Sequence, residues 1–192
     1  MGEIGGHPQV YPPSEDSRLL LAAVLDEVRP GDRVLEIGTG SGYIAAEIAP
    51  RVARMTATDI NPHAVMSARA RGVEAVCTDL FSGLAGPFDL VLFNPPYLPT
   101  EPEDRIEDWL EYALDGGATG RGVIERFFED VDRVLAPFGR ILLLVSSLTG
   151  PDEVRELFAR HGFICFVVNA ERFEDETLYV LRAVRDLCRM RH

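Results

Sequence analysis

The chain has 192 residues, 46% hydrophobic and 26% charged, a composition that suits one globular domain with a full core and excludes a disordered class. Its formal charge is −12, from 31 acidic residues against 19 basic ones, and every basic residue is Arg. Such a surface repels phosphate, so nucleic acid and membrane surfaces are poor partners unless Arg clusters locally; the acid excess fits partner selection and adaptation to a salty cytosol equally.

No apolar run approaches a membrane span, and residues 1–17 lack the apolar stretch of a signal peptide. Cys77, Cys165 and Cys188 are odd in number, far apart and in or beside apolar runs. They read as core thiols in a reducing cytosol, with no disulfide framework. His7, His63, His161 and His192 show no ligand spacing, so no metal is expected. The reading is a cytoplasmic single domain, residues 1–192, with residues 1–17 as an N-terminal arm.

In chain order, residues 1–13 carry three Gly and three Pro and read as extended. Ser14-Glu15-Asp16-Ser17 opens a helix in which Leu21, Val24, Leu25 and Val28 recur at helical spacing until Pro30-Gly31. A first strand, Asp32 to Ile37, runs into the glycine turn Gly38-Thr39-Gly40-Ser41-Gly42 and a helix, Tyr43 to Ala49. Met55 to Thr58 is a second strand ending at Asp59, followed by an N-cap at Asn61-Pro62. Val73 to Cys77 is a third, ending near Asp79, and Phe88 to Phe93 a fourth. Residues 98–120 are acidic and glycine-bearing, with Trp109, Leu110, Tyr112 and Leu114 as anchors, a length that suits a lid or binding loop. A helix over Val123 to Leu135, a strand over Arg140 to Val145, a helix over Pro151 to His161 and strands over Phe163 to Val168 and Thr177 to Val184 complete the chain. The βαβα alternation predicts an α/β fold, a mostly parallel sheet with helices on both faces.

The glycine turn alone also fits a dinucleotide site. Against that, its spacing is G-x-G-x-G, Glu36 precedes it, and Asp59 and Asp79 close the next two strands. These suit a cofactor with a ribose diol, an adenine and an amino-acid end but no pyrophosphate, and S-adenosylmethionine fits. Glycines admit the ligand to the backbone, Asp59 can accept two ribose hydroxyls, and Asp79 the adenine amine.

Asn94-Pro95-Pro96-Tyr97 follows the fourth strand, at the end of an α/β sheet where ligands bind. Asn94 offers a carbonyl, the prolines fix φ and remove two N–H donors, and Tyr97 adds a flat face. A planar –NH2 meets acceptors there, which push electron density towards its nitrogen.

The strings VLEIGTGSG, ATDINPHAV, CTDLF and FNPPY, in that order, resemble the HemK family, glutamine methyltransferases that act on the GGQ motif of class I peptide-chain release factors. The opening Val10-Tyr11-Pro12-Pro13-Ser14-Glu15-Asp16-Ser17 and the short chain resemble its archaeal and eukaryotic branch, which lacks the bacterial helical substrate-binding domain. The resemblance implies a Rossmann-like class I S-adenosylmethionine-dependent methyltransferase whose seven-stranded sheet has an antiparallel last strand. It carries Ser17 onto the cofactor's methionine end, Glu36, Gly38 and Gly40 onto the glycine loop, Asp59 onto the ribose, Asp79 and Leu80 onto the adenine, and Asn94 to Tyr97 onto the substrate amide, with Asn94 also among the cofactor-binding residues. Ser17 stands where the family usually has Thr, and Pro12-Pro13 where the arm usually has one proline. The resemblance also implies a small zinc-binding activator protein on an edge strand, for which Val73 to Cys77 is suited.

Three alternatives stay open on the residues alone. A base amine of adenine or cytosine would suit the same loop, although flipping a base calls for a recognition domain. A protein lysine could be held by the acidic segment 98–120, and a relic pocket would make the chain a structural partner.

Overall fold

The computed structural model describes residues 7–100 and 108–188. Its elements are α1 (Glu15–Glu27), β1 (Arg33–Ile37), α2 (Tyr43–Ile48), β2 (Arg54–Asp59), α3 (Pro62–Ala70), β3 (Glu74–Cys77), β4 (Phe88–Phe93), a single turn α4 (Trp109–Tyr112), α5 (Gly122–Val134), β5 (Leu135–Ser146), α6 (Pro151–Arg160), β6 (Phe163–Arg172) and β7 (Thr177–Arg185). They form one seven-stranded sheet in the order β3-β2-β1-β4-β5-β7-β6. The first five strands run parallel, and β7 is antiparallel to both its neighbours.

Parity explains how near-continuous apolar runs serve two faces. Leu90 and Leu92 of β4 join Val34, Leu142 and Leu144 beneath α1, α2 and α3. Val91 and Phe93 point the other way, with Leu35, Ile37, Ile141 and Leu143, into the layer of α5 and α6. Helix α5 fits because Ile124, Phe127, Phe128, Val131 and Val134 fall on one stripe, and Phe127 stacks on Phe93 with centroids 5.1 Å apart.

The chain steps outward from β1 through β2 to β3, then returns to place β4 on the other side of β1. That reversal opens a cleft at the carboxyl ends of β1 and β4, between the glycine turn and Asn94.

Several sequence expectations need correction. Strand β5 starts at Leu135, not Arg140, because a register shift lets Leu135 pair with Phe88 ahead of the regular ladder. Strand β6 runs on to Arg172. Cys77 and Cys188 are exposed and Cys165 only half-buried, so none is a core thiol: Cys77 ends the edge strand β3, Cys165 lies on the edge strand β6, and Cys188 follows the last strand. Of the expected arm, residues 1–6 lie outside the described residues, as do residues 101–107 of the acidic segment.

The amino ends of the strands are tied by Arg140. Its guanidinium is buried, donating to Asp32 Oδ2 at 2.5 Å, to Glu27 Oε2 at 3.3 Å and to the Asp89 carbonyl at 3.1 Å. Asp32 is buried as well, so removing the cation strands a carboxylate out of reach of water. Arg140→Met is expected to cost about 3–5 kcal/mol, read as a lower midpoint in urea unfolding, whereas the exposed Arg54–Glu74 pair on β2 and β3 should cost under about 1 kcal/mol when broken.

Candidate active site

The glycine turn is shaped by conformation and by space. Gly38 and Gly40 have φ of 67° and 53°, in the left-handed region that side chains disfavour. A Cβ on Gly42 would fall 2.6 Å from the Ala68 Cα, so α2 and α3 meet there without room for any side chain. Asp59 locks the turn, its Oδ2 accepting from Gly40 N at 2.8 Å and its Oδ1 from Asn61 N at 2.9 Å. Burial pushes the Asp59 carboxyl above its ordinary range, and these backbone donors oppose the rise. Each oxygen keeps a second lone pair, so the carboxylate remains able to accept a ligand's hydroxyls.

Glu36, the penultimate residue of β1 before the loop, is 4% exposed and accepts the Thr39 hydroxyl at 2.5 Å. Desolvation raises its carboxyl to about 8, with nearby Asp59 adding to the rise and the Thr39 bond working against it.

Asn94 is held from the far side of the sequence. Its Nδ2 donates to Asp16 Oδ2 at 2.9 Å, while its Oδ1 is buried and has no hydrogen-bond partner. Tyr97 bonds Glu176, from the turn between β6 and β7, and burial together with the Glu176 and Asp16 charges raises its phenol well above the usual value. The ring therefore stays neutral over the working pH range. The arm closes one side: Asn61 Nδ2 donates to the Gln9 carbonyl at 2.7 Å, His7 stacks on His63, and Tyr11 reaches the cleft.

Asp79 accepts from Arg126 of α5 at 2.5 Å, and Leu80 beside it has φ of 45°, the one non-glycine residue in the left-handed region among those described. In the segment after Tyr97, the expected anchors are not buried: Trp109, Leu110 and Leu114 are half-buried and Tyr112 is 59% exposed. Backbone bonds hold it instead, Leu98 N to the Leu114 carbonyl and Gly116 N to the Leu98 carbonyl, and Gly116 and Gly120 pack too closely for a Cβ.

Ser17, Glu36, Gly38, Gly40, Asp59, Asp79 and Leu80 line a single cavity of about 710 Å³ together with Asn94, Pro95, Pro96 and Tyr97. That volume is of ligand size. Asp16, Thr39, Glu176 and Arg126 were not singled out from the sequence; Asp16 reads there as an ordinary acid in a first helical turn, Thr39 as a spacer within the glycine turn, and Glu176 and Arg126 meet the site only through folding.

A cavity with a ligand-approachable glycine turn and carboxylates at the carboxyl ends of β1 and β2 fits S-adenosylmethionine in its donor and acceptor set. Fold and site together define a class I S-adenosylmethionine-dependent methyltransferase. The family described as Methyltransferase small domain matches residues 13–107. A Methanocaldococcus jannaschii protein bearing the name protein N5-glutamine methyltransferase is 39% identical, the match covering 93% of each chain. Methyltransferase HEMK2 of Homo sapiens is 34% identical over 93% of this chain and 91% of its own. The Mtq2 of E. cuniculi, solved in complex with Trm112 and described as responsible for methylation of the termination factor eRF1, superposes with a TM-score of 0.78 at 30% identity, covering 92% of this chain and 99% of that one. The chain belongs to the HemK family of protein-glutamine methyltransferases.

Glu36 contributes to the pH response of the ligand-free protein, in the same direction as the raised Asp59. The Glu36 carboxyl titrates near 4.5 when unfolded and near 8 when folded, so between those values the folded state keeps a proton that the unfolded state has released. The associated stability is full below 4.5, falls as pH rises towards 8 and is level above. Glu36→Gln is expected to flatten this slope, with a gain at pH 9 of at most on the order of 5 kcal/mol and little change at pH 4, measured by urea midpoints.

Proposed function

We propose that this enzyme methylates the side-chain amide nitrogen of the GGQ glutamine in a class I peptide-chain release factor. The observation that carries the reading is the buried, unpartnered Oδ1 of Asn94 beside the half-buried ring of Tyr97. An amide –NH2 is a flat donor of two hydrogens, and an orphaned acceptor next to an aromatic face complements it. The eRF1 methylation attributed to E. cuniculi Mtq2 supports the substrate class.

Within this reading, S-adenosylmethionine supplies an electrophilic methyl group when bound. We assign Asp59 to its ribose diol, Asp79 and Leu80 to its adenine, and Ser17, Glu36 and the Gly38–Gly40 turn to its amino-acid end. Asp79 also pairs with Arg126, so an adenine amine would share a carboxylate that already has a cationic neighbour. Asn94 and the carbonyls at Pro95 and Pro96 accept the amide hydrogens, which localises the nitrogen lone pair and turns it inward. Pro95 is buried and the prolines bring no N–H donors that could compete for the acceptors.

We further infer a small zinc-binding activator of the Trm112 kind as partner. Strand β3 is a sheet edge with Val76 and Cys77 exposed, and the match to Mtq2, solved with Trm112, supports the pairing. A 1:1 complex on size exclusion, weakened about tenfold or more by Val76→Glu, is expected. An isolated chain that is fully active and ignores the activator would refute the pairing.

Asp59→Ala is expected to weaken S-adenosylmethionine binding measured by calorimetry, each lost hydroxyl bond being worth about 1.5–3 kcal/mol. Asn94→Ala should leave that affinity nearly unchanged while slowing methyl transfer about 100-fold, the loss seen when one transition-state hydrogen-bonding group is removed. Mass spectrometry of a release factor should find one methyl on the GGQ glutamine and none after its replacement, with DNA unmodified; robust methylation of DNA would sink the substrate reading.

A further inference from the structure

We propose that Asp16 is a positioning residue for transfer: its buried carboxylate determines which end of the Asn94 amide faces the substrate and strengthens that end as an acceptor. The inference rests on the reading that Asn94 Oδ1 receives a substrate N–H.

An asparagine amide has a donor end and an acceptor end of nearly equal size, and a cleft wall that packs them alike cannot choose between them. Asp16 chooses. Its carboxylate offers only acceptors, so the Asn94 atom 2.9 Å from its Oδ2 is the –NH2 group. The reversed amide would set oxygen against oxygen at a position only 5% exposed, where repulsion is weakly screened. The carboxylate cannot turn away, because Asp16 Oδ1 accepts from the Ser17 backbone N at 2.6 Å and from the Ser17 hydroxyl at 3.2 Å. It also sits in the first turn of the 13-residue α1, whose free N–H groups favour negative charge. The chain's first helix thereby reaches 78 residues along the sequence to orient a loop beyond β4. Hydrogen bonding of Nδ2 to a carboxylate shifts amide electron density onto Oδ1, the buried atom left without a partner on a residue that lines the cavity.

Asp16→Asn tests the idea with little change of volume. The Ser17 N–H retains the oxygen of the new amide, its –NH2 turns towards Asn94, and Asn94 must reverse, presenting a donor to the substrate. The expected result is a fall in kcat of about 100-fold, with S-adenosylmethionine affinity by calorimetry and the urea midpoint close to wild type. The double variant Asp16→Asn/Asn94→Asp restores one donor–acceptor pair and an acceptor facing the cavity, and should regain at least about tenfold over Asp16→Asn. A merely structural role for Asp16 predicts no such rescue. A readout independent of turnover is nitrogen-15 NMR of the Asn94 side-chain –NH2, whose protons should exchange slowly in the wild type and fast in Asp16→Ala. Wild-type kcat in Asp16→Asn, or a double variant no better than the single one, would overturn the proposal. If the wild-type chain transfers nothing to glutamine, the substrate reading falls, and the NMR comparison decides the Asp16 role: equal exchange in wild type and Asp16→Ala would refute it.

Discussion

One carboxylate with two backbone donors holds this site together. Asp59 receives the N–H of Gly40 and the N–H of Asn61, one from the turn after β1 and one from the start of α3. Neither segment belongs to a strand, and the bridge adds to the local bonds of each, Thr39 N to the Thr58 carbonyl in the turn and His63 N to Asn61 Oδ1 at the helix start. With it, the left-handed Gly40 is fixed beneath the carbonyl of Tyr11, and Asn61 is set to hold Gln9. The arm, the turn and the second strand thus become one wall. Charge-assisted bonds from backbone N–H groups are strong enough for this because the carboxylate is largely desolvated.

The two ends of the sheet divide the labour. At the amino ends, Arg140 finds partners for its guanidinium within the fold, and burial there serves stability. At the carboxyl ends, burial is less well compensated: Glu36, despite the Thr39 hydroxyl, has a carboxyl displaced to about 8, and Asn94 has a carbonyl oxygen with no partner. Unsatisfied groups of that kind raise the energy of the ligand-free protein, and a ligand that satisfies them recovers the difference as binding.

Legibility in the sequence followed range. The strands could be read because apolar runs such as Phe88 to Phe93 are bounded by Gly and Pro, and the glycine turn because its chemistry is confined to five consecutive residues. The acids at 36, 59 and 79 were legible as cavity-lining residues since each lies at or just beyond the carboxyl end of a strand, where the topology collects side chains at one edge. Asp16 was not, because an acid in a first helical turn has a sufficient local explanation in the helix dipole. Glu176 and Arg126 lie far from Tyr97 and Asp79 in sequence, and only the sheet order brings them together. Cysteine burial was misread because an apolar neighbourhood in sequence says nothing about whether the strand is central or an edge.

Both asparagines in the site, Asn61 and Asn94, are followed by proline, whereas the chain's third, Asn169, precedes Ala170. Spontaneous deamidation begins when the next residue's peptide nitrogen gives up its proton and attacks the side-chain carbonyl. Proline has no such proton to give. The prolines that shape the loop and open the helix therefore also shield the two amides from chemical ageing. At Asn94 the protection has particular force, since hydrolysis there would set a second carboxylate against Asp16, turning an attractive contact at 2.9 Å into a repulsive one. The enzyme's working lifetime is in this sense written into the residue that follows each of these asparagines.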